Sequence, residues 1–153
     1  MHEENAAART DARVQNMSRH PLAAPLITIV SALLSGVIGT GLHRSGADLN
    51  IPWGLVFAFV LVGLSTVLAR RRLGAMGVGF HLIAASAVIW WLAITMGPGG
   101  DVLVPIASAA FTTFFSMHAG YIWLFGSVIL QILVLLIPKR TFSKFFISRK
   151  QNA

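Results

Sequence analysis

The sequence predicts an all-α membrane protein, a four-helix bundle with both termini in the cytoplasm. Three observations carry that prediction. Of 153 residues, 56% are hydrophobic and 11% are charged, against roughly a quarter charged in an ordinary soluble domain. The apolar residues fall into four long blocks, and the mean hydropathy is +0.75. The basic residues stand at the borders of those blocks and leave their interiors uncharged. A soluble enzyme of this size needs far more polar surface, and a disordered or fibrous chain does not gather its apolar residues this way. The chain contains no cysteine, which removes disulfides, thiol nucleophiles, thiolate zinc sites and iron–sulfur clusters.

A helix that crosses about 30 Å of hydrocarbon needs about 20 apolar residues. Residues 1–21 are polar and form a cytoplasmic N-terminal tail. The first span, 22–42, holds no ionisable residue. Its length exceeds the roughly 7–15 residues of a signal-peptide core, so it is expected to be retained. The second span runs 51–69, with Asn50 available as its cap and Pro52 in its first turn, where a missing N–H costs nothing. The third runs 76–96. The fourth runs 120–137 and is closed by Pro138, Lys139 and Arg140. Residues 22–137 thus make the transmembrane domain, and 138–153 a basic, aromatic cytoplasmic tail. Each span must be helical, because a segment alone in lipid has to satisfy its backbone groups internally.

The outer loop, 97–119, contains an apolar stretch at 102–115 that is short for a span and interrupted by Pro105. It is expected to be a short interfacial or re-entrant helix on the extracytoplasmic face, capped by Asp101 after the Gly97-Pro98-Gly99-Gly100 turn. Charge sets the orientation. Arg9, Arg13 and Arg19 precede span one, Arg70, Arg71 and Arg72 join spans two and three, and Lys139, Arg140, Lys144, Arg149 and Lys150 follow span four. With four spans, these eleven lie on one side and Arg44 alone on the other, which places both termini in the cytoplasm of a multi-pass plasma-membrane protein. Trp53, Trp90, Trp91, Trp123 and Tyr121 then fall in the outer half as interfacial anchors, with one of Trp90 and Trp91 packing between helices.

The spans contain no Asp, Glu, Lys or Arg, so proton-coupled or ion-coupled transport is disfavoured. Gly120, Leu124, Ser127 and Gln131 share one face of span four. Gln131 and Ser127 there are either a polar lining or interhelical hydrogen-bonding groups, and the second reading is favoured. Ser31, Ser35 and Gly39 form a small-residue stripe that lets another helix approach closely. His81, a turn inside span three, is expected to bond a neighbouring carbonyl or water. His43, His118, Asp48 and Asp101 are expected at the outer surface, without the spacing of a metal site. No catalytic or nucleotide motif is present, so no enzyme activity and no cofactor are expected. In the tail, Phe142, Phe145 and Phe146 alternate with Lys139, Arg140 and Lys144. That pattern lies in the headgroup plane of a bilayer and takes anionic headgroups as partners. Nucleic acid is not an expected partner, because the cations flank spans and do not cluster on a folded face.

The outer loop reads Gly97-Pro98-Gly99-Gly100-Asp101-Val102-Leu103-Val104-Pro105, followed by Gly120-Tyr121-Ile122-Trp123-Leu124-Phe125-Gly126. This resembles a family of small actinobacterial four-span integral membrane proteins classed as a domain of unknown function. In that family a Gly-Asp and apolar residues precede a Gly-Tyr-x-Trp/Phe-Leu-x-Gly start to the last helix. The chain departs from the family in its longer insert, 106–119. The resemblance implies a Gram-positive plasma membrane and no assigned activity. The expected role is an accessory or assembly partner of a membrane complex, with Asp101, Trp123, Gln131 and Ser127 as candidate partner or ligand contacts. A passive pore formed by a homo-oligomer is the alternative, lined by Gln131, Ser127 and the outer loop. An extracytoplasmic lipid-processing enzyme using His43, Asp101 and His118 is the third.

Overall fold

The computed structural model describes residues 22–96, 100, 102–105 and 110–138. They form three α-helices: α1 (Ala23–Leu42), α2 (Trp53–Ile94) and α3 (Phe114–Leu136). The described residues include no strand, only a single antiparallel bridge between Met96 and Val102. All three helices are long and apolar enough to cross a membrane. Their outward faces carry large apolar side chains such as Leu34, Phe57, Ile83 and Leu133, the surface that lipid solvates at no cost.

Helix α2 has 42 residues, which would be about 63 Å of straight helix. It is not straight. Gly74 sits at φ 65° and ψ −143°, a region that L side chains rarely adopt and glycine reaches freely. The chain reverses there, so that His81 bonds Ser65 at 2.8 Å. On an unbroken helix these residues would lie about 24 Å apart. The blocks expected at 51–69 and 76–96 are thus one helical element folded back on itself at glycine.

Small residues set how α1 docks. Ala32, Ser35, Gly36 and Gly39 are buried. A Cβ on Gly36 would overlap Val88 and one on Gly39 would overlap the Trp123 ring. The small-residue stripe is spent within the chain. Helix α3 lies along both halves of α2, through Phe125 against Trp90 and Gly126 against Phe59. Leu55, Val62, Ile89, Val104, Trp123 and Leu124 make the buried core. At the Gly74 end, Arg70 donates to the carbonyls of Val134 and Ile137. A cation there satisfies terminal acceptors of α3 and complements its negative dipole end.

Three expectations need correction. Helix α3 begins at Phe114, six residues before the expected start of span four at 120. Thr113 caps it, accepting from the Ser116 N–H at 3.1 Å, while Ser116 Oγ accepts from the Thr113 N–H at 2.9 Å. This reciprocal pair satisfies two otherwise orphaned donors and extends the helix into the insert. The short helix expected over 102–115 is absent at 102–105 and 110–113, which are non-helical, and Phe114 and Phe115 belong to α3. Asn50 does not cap α2, whose N-cap is Pro52. Its Oδ1 instead accepts from the Phe115 N–H of α3 at 3.3 Å.

Candidate functional site

Two buried histidines organise the polar groups of the interior. His81, on the second half of α2, is fully buried together with Thr66 and Gln131. Gln131 Nε2 donates to the Ser127 carbonyl at 3.0 Å. A carbonyl only accepts, so the amide is oriented with Oε1 toward His81 Nδ1, 2.8 Å away. Nδ1 therefore carries the proton, and Nε2 presents its lone pair to the Ser65 hydroxyl at 2.8 Å. Thr66 Oγ1 donates to the Val62 carbonyl at 2.7 Å and lies 3.3 Å from Nδ1 as a second acceptor. Ser65 Oγ also lies 3.4 Å from the Ser31 carbonyl of α1. One imidazole thus ties both halves of α2 to α3.

Ser65, His81 and Gln131 stand in the order nucleophile, base, orienter. Acyl transfer also needs free N–H donors aimed at a developing oxyanion. Ser65 lies in mid-helix, where the neighbouring N–H groups are already bonded along α2. The arrangement acts as a polar clasp, with each ring nitrogen of His81 engaged.

The second histidine, His43, follows α1 and closes the opposite end. It is 1% exposed, where the sequence reading expected it at the surface. Its Nδ1–H donates to the Thr40 carbonyl at 2.6 Å, and its ring stacks on Trp123 with centroids 6.1 Å apart and planes at 20°. Trp123 Nε1 donates to Thr40 Oγ1 at 3.2 Å. His43 Nε2 has no partner. Burial pushes the His43 pKa down to about 4; the Thr40 carbonyl opposes that shift and the neighbouring Arg44 charge adds to it.

The loop carrying His43 is fastened to α3 by three hydrogen bonds. Arg44 Nη1 donates to the Ser116 carbonyl at 3.2 Å, Thr113 Oγ1 to the Ala47 carbonyl at 2.7 Å, and the Phe115 N–H to Asn50 Oδ1. The Arg44 guanidinium also lies 4.1 Å over the Phe111 ring, a cation–π contact.

The predicted site residues are distributed unevenly over these two regions. Gln131 and Ser127 belong to the clasp and are buried, Ser127 Oγ donating to the Leu124 carbonyl at 3.1 Å. Trp123, expected as an interfacial anchor, is fully buried under His43, while Trp53, Trp90 and Trp91 are exposed. Ser35 and Gly39 are buried on α1, and Ser31 is half-buried. His118 is exposed and stacks on Phe114, in surroundings unlike those of buried His43. Asp101 and the tail residues Lys139, Arg140, Phe142, Lys144, Phe145 and Phe146 lie outside the described residues. Among the described residues no three His, Cys, Asp or Glu are grouped to hold a metal. Sequence reasoning missed the pairing of Ser65 and Thr66 with His81. The available signal was position: Thr66 stands eight residues before Gly74 and His81 seven after it, which a reversal at Gly74 places side by side.

No family model, no curated protein and no solved structure matches the chain.

Proposed function

We propose that this chain is a non-enzymatic integral membrane protein with four spans, both termini cytoplasmic, serving as an accessory or assembly partner of a membrane complex. The observation that carries the reading is the self-contained clasp. Its hydrogen-bonding groups are spent on one another, and the helices present apolar side chains outward. Such a protein offers a membrane neighbour shape and apolar contact, with no polar chemistry at mid-membrane. The two halves of α2 count as separate spans in this reading, with Arg70, Arg71, Arg72 and the Gly74 reversal on the cytoplasmic side. The basic tail adds contact with anionic headgroups. The oligomeric-pore reading is weakened because Gln131 and Ser127, its lining residues, are buried inside one protomer.

Two experiments test this. Purification in mild detergent with mass spectrometry is expected to yield a second membrane protein at fixed stoichiometry; a homo-oligomer that conducts solute in vesicles overturns the proposal. A reporter active only in the cytoplasm, fused after Ala153, is expected to be active. Activity only of an exterior reporter there would put the C-terminus outside and overturn this topology.

A further inference from the structure

We propose that His43 is an acid-released latch: a proton on its Nε2 unfastens the 43–50 loop from α3 and exposes Trp123 and the Gly39 face of α1. His43 is 1% exposed, its Nδ1–H is committed to the Thr40 carbonyl, and Nε2 has no partner. As a neutral lone pair, Nε2 carries the cost of one buried unpaired acceptor, which is smaller than that of a buried unpaired charge. As an N–H donor on a cationic ring, it has no acceptor and must reach water.

Among the described residues, the surroundings give the cation nothing to pair with. α1 contributes Thr40 through its carbonyl, already used, and α3 contributes the neutral Trp123. α2 contributes Phe59, against the Trp123 ring at 5.7 Å. The loop itself contributes Arg44, whose positive charge opposes a second one. Asp48, the loop's carboxylate, is exposed. Hydrating the ring requires it to leave the Trp123 stack. His43 is continuous with a loop whose attachments to α3 are the Arg44, Ala47 and Asn50 bonds, so these release with it. The depressed pKa of about 4 agrees with this geometry and sets the range of acidity in which the latch opens. His81 provides the contrast, since each of its nitrogens is engaged and it sits away from this loop.

The test uses the full chain in detergent, so the side of the membrane does not enter. Replacing Trp53, Trp90 and Trp91 by Phe leaves Trp123 as the sole tryptophan. Its emission is expected to move reversibly to longer wavelength on acidification, with a midpoint between pH 4 and 5. His43→Phe and His43→Gln, neither of which gains a charge, are expected to abolish the transition. The absence of native cysteine allows a second readout. Cysteine placed at buried Ala47 is labelled with a maleimide and compared with cysteine at exposed Leu49. That ratio is expected to rise about tenfold between pH 7 and pH 4 in the chain with His43. An unchanged ratio overturns the proposal even if the His43 variants fail to fold. A transition that survives in either His43 variant, or that His81→Asn removes, also overturns it.

Discussion

His81 and His43 are both buried imidazoles, yet they are built to opposite specifications. His81 gives its Nδ1–H to Gln131 and receives a hydroxyl from Ser65, and its partners come from elements far apart in sequence. His43 bonds a carbonyl three residues away on its own helix and leaves its second nitrogen bare. The first ring therefore holds helices to one another. The second is held by its neighbours, above all by Trp123, and contributes shape more than bonding. A buried polar group makes a stable joint when both of its ends are engaged; with one end open it makes a joint that can be released.

The largest effect that separates the two regions is expected at Trp123. The indole is fully buried, fills the space over Gly39 and forms the platform for His43. Trp123→Ala should destabilise the protein by about 3–5 kcal/mol, the usual cost of a buried aromatic truncation, with the His81 clasp remaining intact. Thermal unfolding in detergent measures the loss. A loss below about 1 kcal/mol would mean that the His43 region is not packed as described.

Acid should act next most strongly, and through His43. Its folded pKa of about 4 lies below the unfolded 6.5, so between those values the unfolded chain binds a proton that the native chain does not. The contribution of His43 to stability is fully present above pH 6.5, falls as the pH drops from 6.5 to 4, and levels off below. The total loss is about 3 kcal/mol. Unfolding measured from pH 7 to pH 4 for wild type and His43→Phe should differ in this window alone. Equal slopes would assign the acid sensitivity to other groups.

At the clasp, Gln131→Leu keeps the volume and removes both hydrogen bonds of the amide. His81 Nδ1 still has Thr66 at 3.3 Å, and interhelical bonds in membranes are worth about 0.6 kcal/mol on average, up to about 1.7. A loss of about 1 kcal/mol is expected. A loss matching that of Trp123→Ala would show the clasp to be the dominant joint.

The sequence made part of this contrast legible. Uncharged apolar blocks placed the helices, because segment length against bilayer thickness is a strong constraint. The same blocks put Gln131 and Ser127 on one face of a helix, and the small stripe on another. Pairings across the fold were not legible. Ser65 and His81 meet because Gly74 takes up a backbone conformation that composition does not reveal. Gln131 meets His81 from 50 residues away. His43 looked like an outer-surface group because it falls in the loop between spans one and two; its ring instead turns inward against Trp123. The start of α3 was misplaced because Thr113 and Ser116 form a cap without the acidic or amide residue that usually marks one.

The smallest expected effect tests how the loop over His43 keeps its shape. Asn50 has φ 57°, a left-handed conformation that costs most L residues roughly 1–2 kcal/mol, with Asn and Gly the usual exceptions. Its side chain also accepts from the first turn of α3 at 3.3 Å, a contact worth about 0.5–1 kcal/mol as a helix cap. Asn50→Gly removes the contact and eases the backbone, so the two contributions offset and stability should stay within about 0.5 kcal/mol of wild type. Asn50→Ala loses the contact and strains the backbone, and should cost about 1–2 kcal/mol. Both variants retain His43 against Trp123 at neutral pH, and Asn50→Ala, which weakens the closed loop, should move the fluorescence midpoint of the Trp123-only protein to higher pH. If Gly is as damaging as Ala, the Asn50 carbonyl is the essential fastening of the loop. If neither variant matters, Arg44 and Thr113 hold the loop on their own.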